Sequence, residues 1–174
     1  FAFDIADDGG AGIYGLPSVA VSLGGKAAAG TVNVVAGTAP SYTAEYTVQS
    51  GDSEGAISYS ISASDNAGNP VSITGISSGK KLDKSLPTVS KVAIAETYTT
   101  TASANVTFSL ADNTDGSGIG SYAVTESATA PSDGWNDCDA TKTSGSCTFT
   151  AEGGKTVYVY ARDKAGNVSL VAAS

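Results

Sequence analysis

The chain has no histidine and no methionine, one tryptophan and two cysteines in 174 residues. Without histidine no Ser–His dyad can form, so the abundant Ser and Thr hydroxyls have no imidazole base. No motif surrounds a lysine base. Acids grouped in one loop, such as Asp133 and Asp137, are the ordinary pattern of a solvated turn rather than a glycosidase pair. The sequence therefore reads as non-catalytic. The missing histidine and the absence of a second cysteine pair also leave Cys138 and Cys147 without co-ligands for zinc. Basic residues are scarce: nine against seventeen acids, a net charge of −8 and a pI near 4.2. Such a surface repels phosphate backbones, which argues against nucleic acid as a partner. It gives no attraction to anionic membranes and suits cations. No apolar run approaches the ~18–20 residues of a membrane span, so direct membrane insertion is not expected. The absence of methionine and of a signal segment is what a mature or excised segment would show.

What is present is Ala, Gly, Ser, Thr and Val in short alternating stretches, the composition of an exported all-β protein expected outside the cell or on its surface. Period-2 patterning predicts strands near residues 1–6, 18–23, 31–35, 42–49, 56–64 and 70–76, and again near 89–96, 103–110, 119–127, 146–150, 156–162 and 168–172. The pentapeptide Asp65-Asn66-Ala67-Gly68-Asn69 returns, with one change, as Asp163-Lys164-Ala165-Gly166-Asn167, each copy following an alternating strand. Upstream, Asp7-Asp8-Gly9-Gly10-Ala11-Gly12-Ile13 resembles Asp112-Asn113-Thr114-Asp115-Gly116-Ser117-Gly118-Ile119. Two landmarks in the same order mean two copies of one domain, expected at 1–86 and 87–174, with Lys80–Pro87 as a short joint. Aligning the repeated turns puts Tyr59, Ile61 and Ala63 opposite Val157, Val159 and Ala161 as core residues. Val106, Phe108 and Leu110 form an inward triplet matched by Phe1, Phe3 and Ile5. Tyr158 and Tyr160 then point outward. Asp65 and Asp163 are expected first of all to form hairpin turns, with Gly supplying the positive φ.

Several residues are candidates for chemistry. Asp7, Asp8, Asp112 and Asp115 lie in Gly-rich loops, where hard oxygen ligands suit Ca²⁺. The EF-hand spacing fails, because Ala111 and Tyr122 stand where acids are required. Outward Tyr158 and Tyr160, with Trp135 in the distinctive loop 132–139, could stack on surface glycans. The competing reading is that the tyrosines stabilise cross-strand pairs and that Trp135 covers the cysteines. Cys138 and Cys147, nine apart, are expected to form a disulfide clipping one short loop, a contribution of about 2–3 kcal/mol at best. Asn105-Val106-Thr107 and Asn167-Val168-Ser169 match the N-glycosylation acceptor pattern, and Asn105 should face solvent.

The repeated Asp-x-Ala-Gly-Asn turns, Gly116-Ser117-Gly118-Ile119, Asp83-Lys84-Ser85-Leu86-Pro87-Thr88-Val89 and Tyr46–Gly55 together resemble the bacterial and archaeal Ig-like repeats of large cell-surface proteins. The resemblance covers both halves of the chain. It implies two tandem Ig-like β-sandwiches and a non-catalytic structural or adhesive role in a long surface protein, surface layer or filament. The partners it implies are neighbouring repeats or identical subunits. Asp83, near the joint, becomes a further calcium candidate by likeness to calcium-rigidified repeat linkers. Such repeats also occur as accessory modules of secreted enzymes, which makes glycan or ligand binding the alternative role. Pro87 precedes Asp112 by 25 positions, whereas six residues precede Asp7. The first copy is therefore expected to lack its opening strand, either because the segment is excised or because another subunit donates one.

Overall fold

The computed structural model describes residues 1–173. Among them lie fourteen strands in four antiparallel sheets and no helix. The chain divides into two compact units, Phe1–Leu82 and Asp83–Ser174, each a pair of sheets in a β-sandwich arrangement.

The first unit holds β1 (Ala2–Asp4), β2 (Ser18–Leu23), β3 (Lys26–Ala27), β4 (Asn33–Ala36), β5 (Ser41–Glu45), β6 (Gly55–Ser64) and β7 (Pro70–Leu82). Its sheets run β1-β5-β4 and β3-β2-β6-β7. The second holds β8 (Thr88–Ile94), β9 (Ser103–Ala111), β10 (Ile119–Thr125), β11 (Asn136–Asp137), β12 (Ser144–Thr148), β13 (Val157–Asp163) and β14 (Val168–Ala173). Its sheets run β12-β9-β8 and β11-β10-β13-β14. The four-stranded sheets share one order, and β1-β5 matches β9-β12. The first unit adds β4. Among the described residues it has no counterpart of β8.

Alternation builds the second core. Ala104, Val106, Phe108 and Leu110 of β9 are 7%, 0%, 2% and 5% exposed, while Asn105 and Thr107 between them face out. Val106, Phe108 and Leu110 meet Ile119, Val157, Val159, Ala161, Cys147 and Val89 in one cluster, against which Tyr122, Val124 and Cys138 also pack. The first core is thinner, made from Val21, Leu23, Ala44 and Ile61. The expected inward triplet of β1 departs from its twin. Phe1 is 43% exposed, and Phe3 and Ile5 are only half-buried; among the described residues β1 ends its sheet. Phe1 instead stacks on Tyr59 with ring centroids 4.0 Å apart. Buried Asp52 organises the loop after β5, accepting from the Tyr46 hydroxyl and from the Ala29 and Gln49 N–H groups.

Both Asp-x-Ala-Gly-Asn segments are hairpin turns. Asp65 accepts from the Asn69 N–H (2.8 Å) and from Asn69 Nδ2 (2.7 Å), and Gly68 sits at φ 90°. Asp163 repeats both bonds with Asn167, at 2.8 Å each. Two sequence expectations shift. Strand β7 runs through Lys80 and Lys81 to Leu82, so the first three residues of the expected joint are edge strand. The units part at Leu82/Asp83, four residues before the boundary read from the sequence, since Asp83 is bonded into the second unit.

Candidate metal centre

Three carboxylates converge at one end of the second sandwich. One ligand oxygen each from Asp83, Asp112 and Asp163 lies within 4.8 Å of the others. Each arrives by a different local device. Asp83 follows β7 and is 8% exposed, one oxygen accepting from the Ser117 N–H at 2.6 Å and the other from Ser85. Asp112 follows β9, and the Gly118 N–H holds it at 2.6 Å. Asp163 ends β13, is 3% exposed, and is paired in register with Ile119, the first residue after the Asp112 loop. Asn167 ties the group together: its Nδ2 donates to Asp163 at 2.8 Å and to the Asp83 carbonyl at 3.2 Å. The Asp112 loop closes tightly over the carboxylate. A Cβ on Gly116 would meet Asn113 Oδ1 and lie 2.5 Å from Asp112 Oδ2.

Burial works to raise the Asp83 carboxyl, but the Ser117 N–H and hydroxyl and the Ser85 N–H outweigh it and hold the group below the usual carboxylate range. A third negative group beside two others is costly unless a cation or a shared proton relieves it. Calcium binds oxygens at 2.3–2.6 Å, so two oxygens on one ion are at most about 5.2 Å apart. The observed spacing falls inside that limit, and an all-oxygen set of hard ligands matches the ion.

The structure thus unites two of the five candidate acids, Asp83 and Asp112, and adds Asp163. Asp8 and Asp115 are exposed and stand outside the group. Asp7 sits in the twin of the Asp112 loop: Gly12 donates to it at 2.7 Å, as Gly118 does to Asp112. Asp65 repeats the Asp163 turn, and Ile13 bridges Asp65 as Ile119 pairs with Asp163. Among the described residues, no group of three forms there. Asp163 serves the turn that its sequence predicts and also faces the other two acids. The register of β10 on β13 brings the Asp-x-Ala-Gly-Asn turn to the Asp112 loop, a pairing that no local pattern in the sequence encodes.

The aromatic candidates are placed otherwise than expected. Tyr160 does lie on the outer face of β13, yet it is 1% exposed and its hydroxyl donates to the Ser127 carbonyl at 2.9 Å. Segment 126–135 reaches that face through the Ser127 carbonyl and Trp135, and Ser121 and Ala123 beside Tyr160 and Arg162 are buried too. Trp135 belongs to this cover rather than to the cysteines. Its Nε1 donates to Pro131, and the Arg162 guanidinium lies 4.6 Å from its ring centroid. Tyr158 is half-buried. No sugar platform is assembled from these three.

The expected disulfide is not formed. Cys138 and Cys147 are both free thiols, and burial raises both. Cys138 follows β11 and donates its N–H to Gly120, whereas Cys147 lies in β12 of the opposite sheet. The short spacing therefore spans a crossing between sheets, not a clipped loop. Of the two glycosylation candidates, Asn105 is exposed. The Asn167 amide is already committed to Asp163 and Asp83, the atom a glycan would occupy.

No protein-family model matches this chain, and no curated protein matches it either.

Proposed function

We propose that the chain is a non-catalytic, Ig-like tandem-repeat segment of an extracellular surface protein or filament, and that its second unit holds a calcium ion between Asp83, Asp112 and Asp163. The observation that carries this is the convergence of three buried or half-buried carboxylates from three separate strand ends. Asp83 directly follows β7. An ion there pins the chain at the point where it enters the second unit, which is the role a repeat under load requires. Duplication of one strand plan supports a mechanical or architectural job over catalysis, although a fold alone does not decide function. Neighbouring repeats or identical subunits are the partners this reading implies. The glycan-binding alternative gains nothing from the placement of Tyr160 and Trp135.

Calorimetric titration with CaCl₂ of the metal-stripped chain tests the ion. One site per chain is expected, with Mg²⁺ weaker because it demands a tighter octahedral shell. The Asp163→Asn variant should remove the heat. Absence of binding and of any Tm shift at millimolar Ca²⁺ would overturn the assignment.

A further inference from the structure

The first unit contains an open groove of about 400 Å³ whose lining includes Ile5, Ile13, Ile61, Val71 and Ile73, with Asp4, Asp7 and Asp65 also at its wall. Strand register shows that this is an uncovered core face and not a surface feature. Ile73 pairs directly with Ile61, and Val71 with Ala63. Directly opposed residues of an antiparallel pair share one face of the sheet. Ile61 is 7% exposed, so its face is the inner one, yet Ile73 and Val71 on that same face are 56% and 47% exposed. One wall of the groove is β7, the last strand of its sheet, and β1 ends the other sheet with its outer edge unpaired.

The second unit shows what closes such a groove. There β8 pairs antiparallel with β9, the counterpart of β1, and lies beside β14, the counterpart of β7. Val89 of β8 enters the core at 6% exposure, and Val92 and Ile94 pack against it. The internal repeat therefore identifies the kind of occupant. We propose that the groove between β1 and β7 is a docking site for one extended polypeptide strand from outside the first unit. That strand carries branched aliphatic side chains at β8-like positions and adds antiparallel to the free edge of β1. Main-chain hydrogen bonds to β1 would give affinity, and insertion of the side chains beside Ile5, Val71 and Ile73 would give register. This rests on the strand plan alone and is independent of the calcium assignment.

The probe is a synthetic peptide of the chain's own residues 85–97, titrated into the full chain by fluorescence anisotropy, with hydrogen exchange to locate it. Saturable one-to-one binding is expected, with new protection in β1 and in β7 around Val71 and Ile73. Replacing Val89 and Val92 of the peptide by Asp should weaken binding at least about tenfold, because a charge would have to be buried unpaired. Ile73→Asp in the chain should do the same. A second arm needs no destabilising change: the same strand fused ahead of Phe1 through a flexible linker should raise the melting temperature of the first unit. No peptide binding, protection confined to β9, or a fused chain that melts unchanged would each overturn the proposal. So would a concentration-dependent dimer, indifferent to peptide, that protects β1, which would make a second copy the occupant.

Discussion

Asp163→Asn would separate the turn role of this carboxylate from the calcium role proposed for it, because the molecule contains its own control. Asp65 makes the same pair of bonds to Asn69 that Asp163 makes to Asn167, but it has no triad around it. Hydrogen bonds to an ionised acceptor contribute about 1.5–3 kcal/mol. An amide retains one acceptor oxygen, so Asp65→Asn should be mildly destabilising, and by the same amount whatever the calcium concentration. At Asp163 a second effect opposes the first when no ion is bound. Two carboxylate oxygens within 4.8 Å of each other repel by at least roughly 3.5 kcal/mol at an effective dielectric constant of about 20, before screening by solvent. Removing one of three such charges should therefore make Asp163→Asn neutral or mildly stabilising in chelator. With Ca²⁺ at a hundred times its dissociation constant, the wild type gains about 2.7 kcal/mol and the variant gains little of it. Urea titration followed by the single tryptophan reads this cleanly, since Trp135 lies in the second unit under Arg162. The expected result is a variant whose urea midpoint barely moves with Ca²⁺, while that of the wild type rises. Equal destabilisation of Asp163→Asn in chelator and in calcium would refute the reasoning. A calcium dependence erased by Asp65→Asn would refute it as well.

Three further outcomes follow from single contacts. Gly116→Ala places a methyl group against the Asn113 and Asp112 side chains and should cost about 1–3 kcal/mol by denaturant titration, weakening calcium binding in the same variant. Tyr160→Phe deletes the hydroxyl that donates to Ser127 and should cost about 1 kcal/mol, with no change on a glycan array. The Lys155 ammonium, 2.8 Å away, together with the Thr150 N–H and hydroxyl, holds Glu126 below the usual glutamate range. A depressed folded value means that its stabilisation is present above the unfolded pKa, about 4.3, and is lost as pH falls through the folded one. Urea midpoints measured between neutral and acid pH should thus fall less steeply for Glu126→Gln than for the wild type.

Legibility followed the physics of each element. Strand β9 could be read because one face meets the core and the other meets water, so its alternation is clean. Strand β13 could not be read that way past its inner face. Period 2 assigns Tyr160 outward, but whether the outer face is wet depends on where segment 126–135 returns, and no local pattern encodes that. The end of β7 was hidden by its polarity, since Lys80 and Lys81 on an exposed edge strand look like a joint. The two-residue strands β3 and β11 are too short for any period. The cysteines misled because spacing carries no record of the crossing between sheets. At the candidate metal centre, Asp83 came from resemblance and Asp112 from loop chemistry. Asp163 required the register of β10 on β13, a long-range fact.

The Asn167 bridge to the Asp83 carbonyl closes a loop of 84 positions, nearly the whole second unit. Closures of that span carry a chain-entropy cost that local contacts do not, and they tend to form late. A contact absent from the folding transition state changes the rate of unfolding and leaves the rate of folding almost untouched. Whatever tightens this bridge therefore lengthens the lifetime of the folded unit more than it hastens its birth. For a segment held under tension, lifetime is the quantity that decides whether it endures.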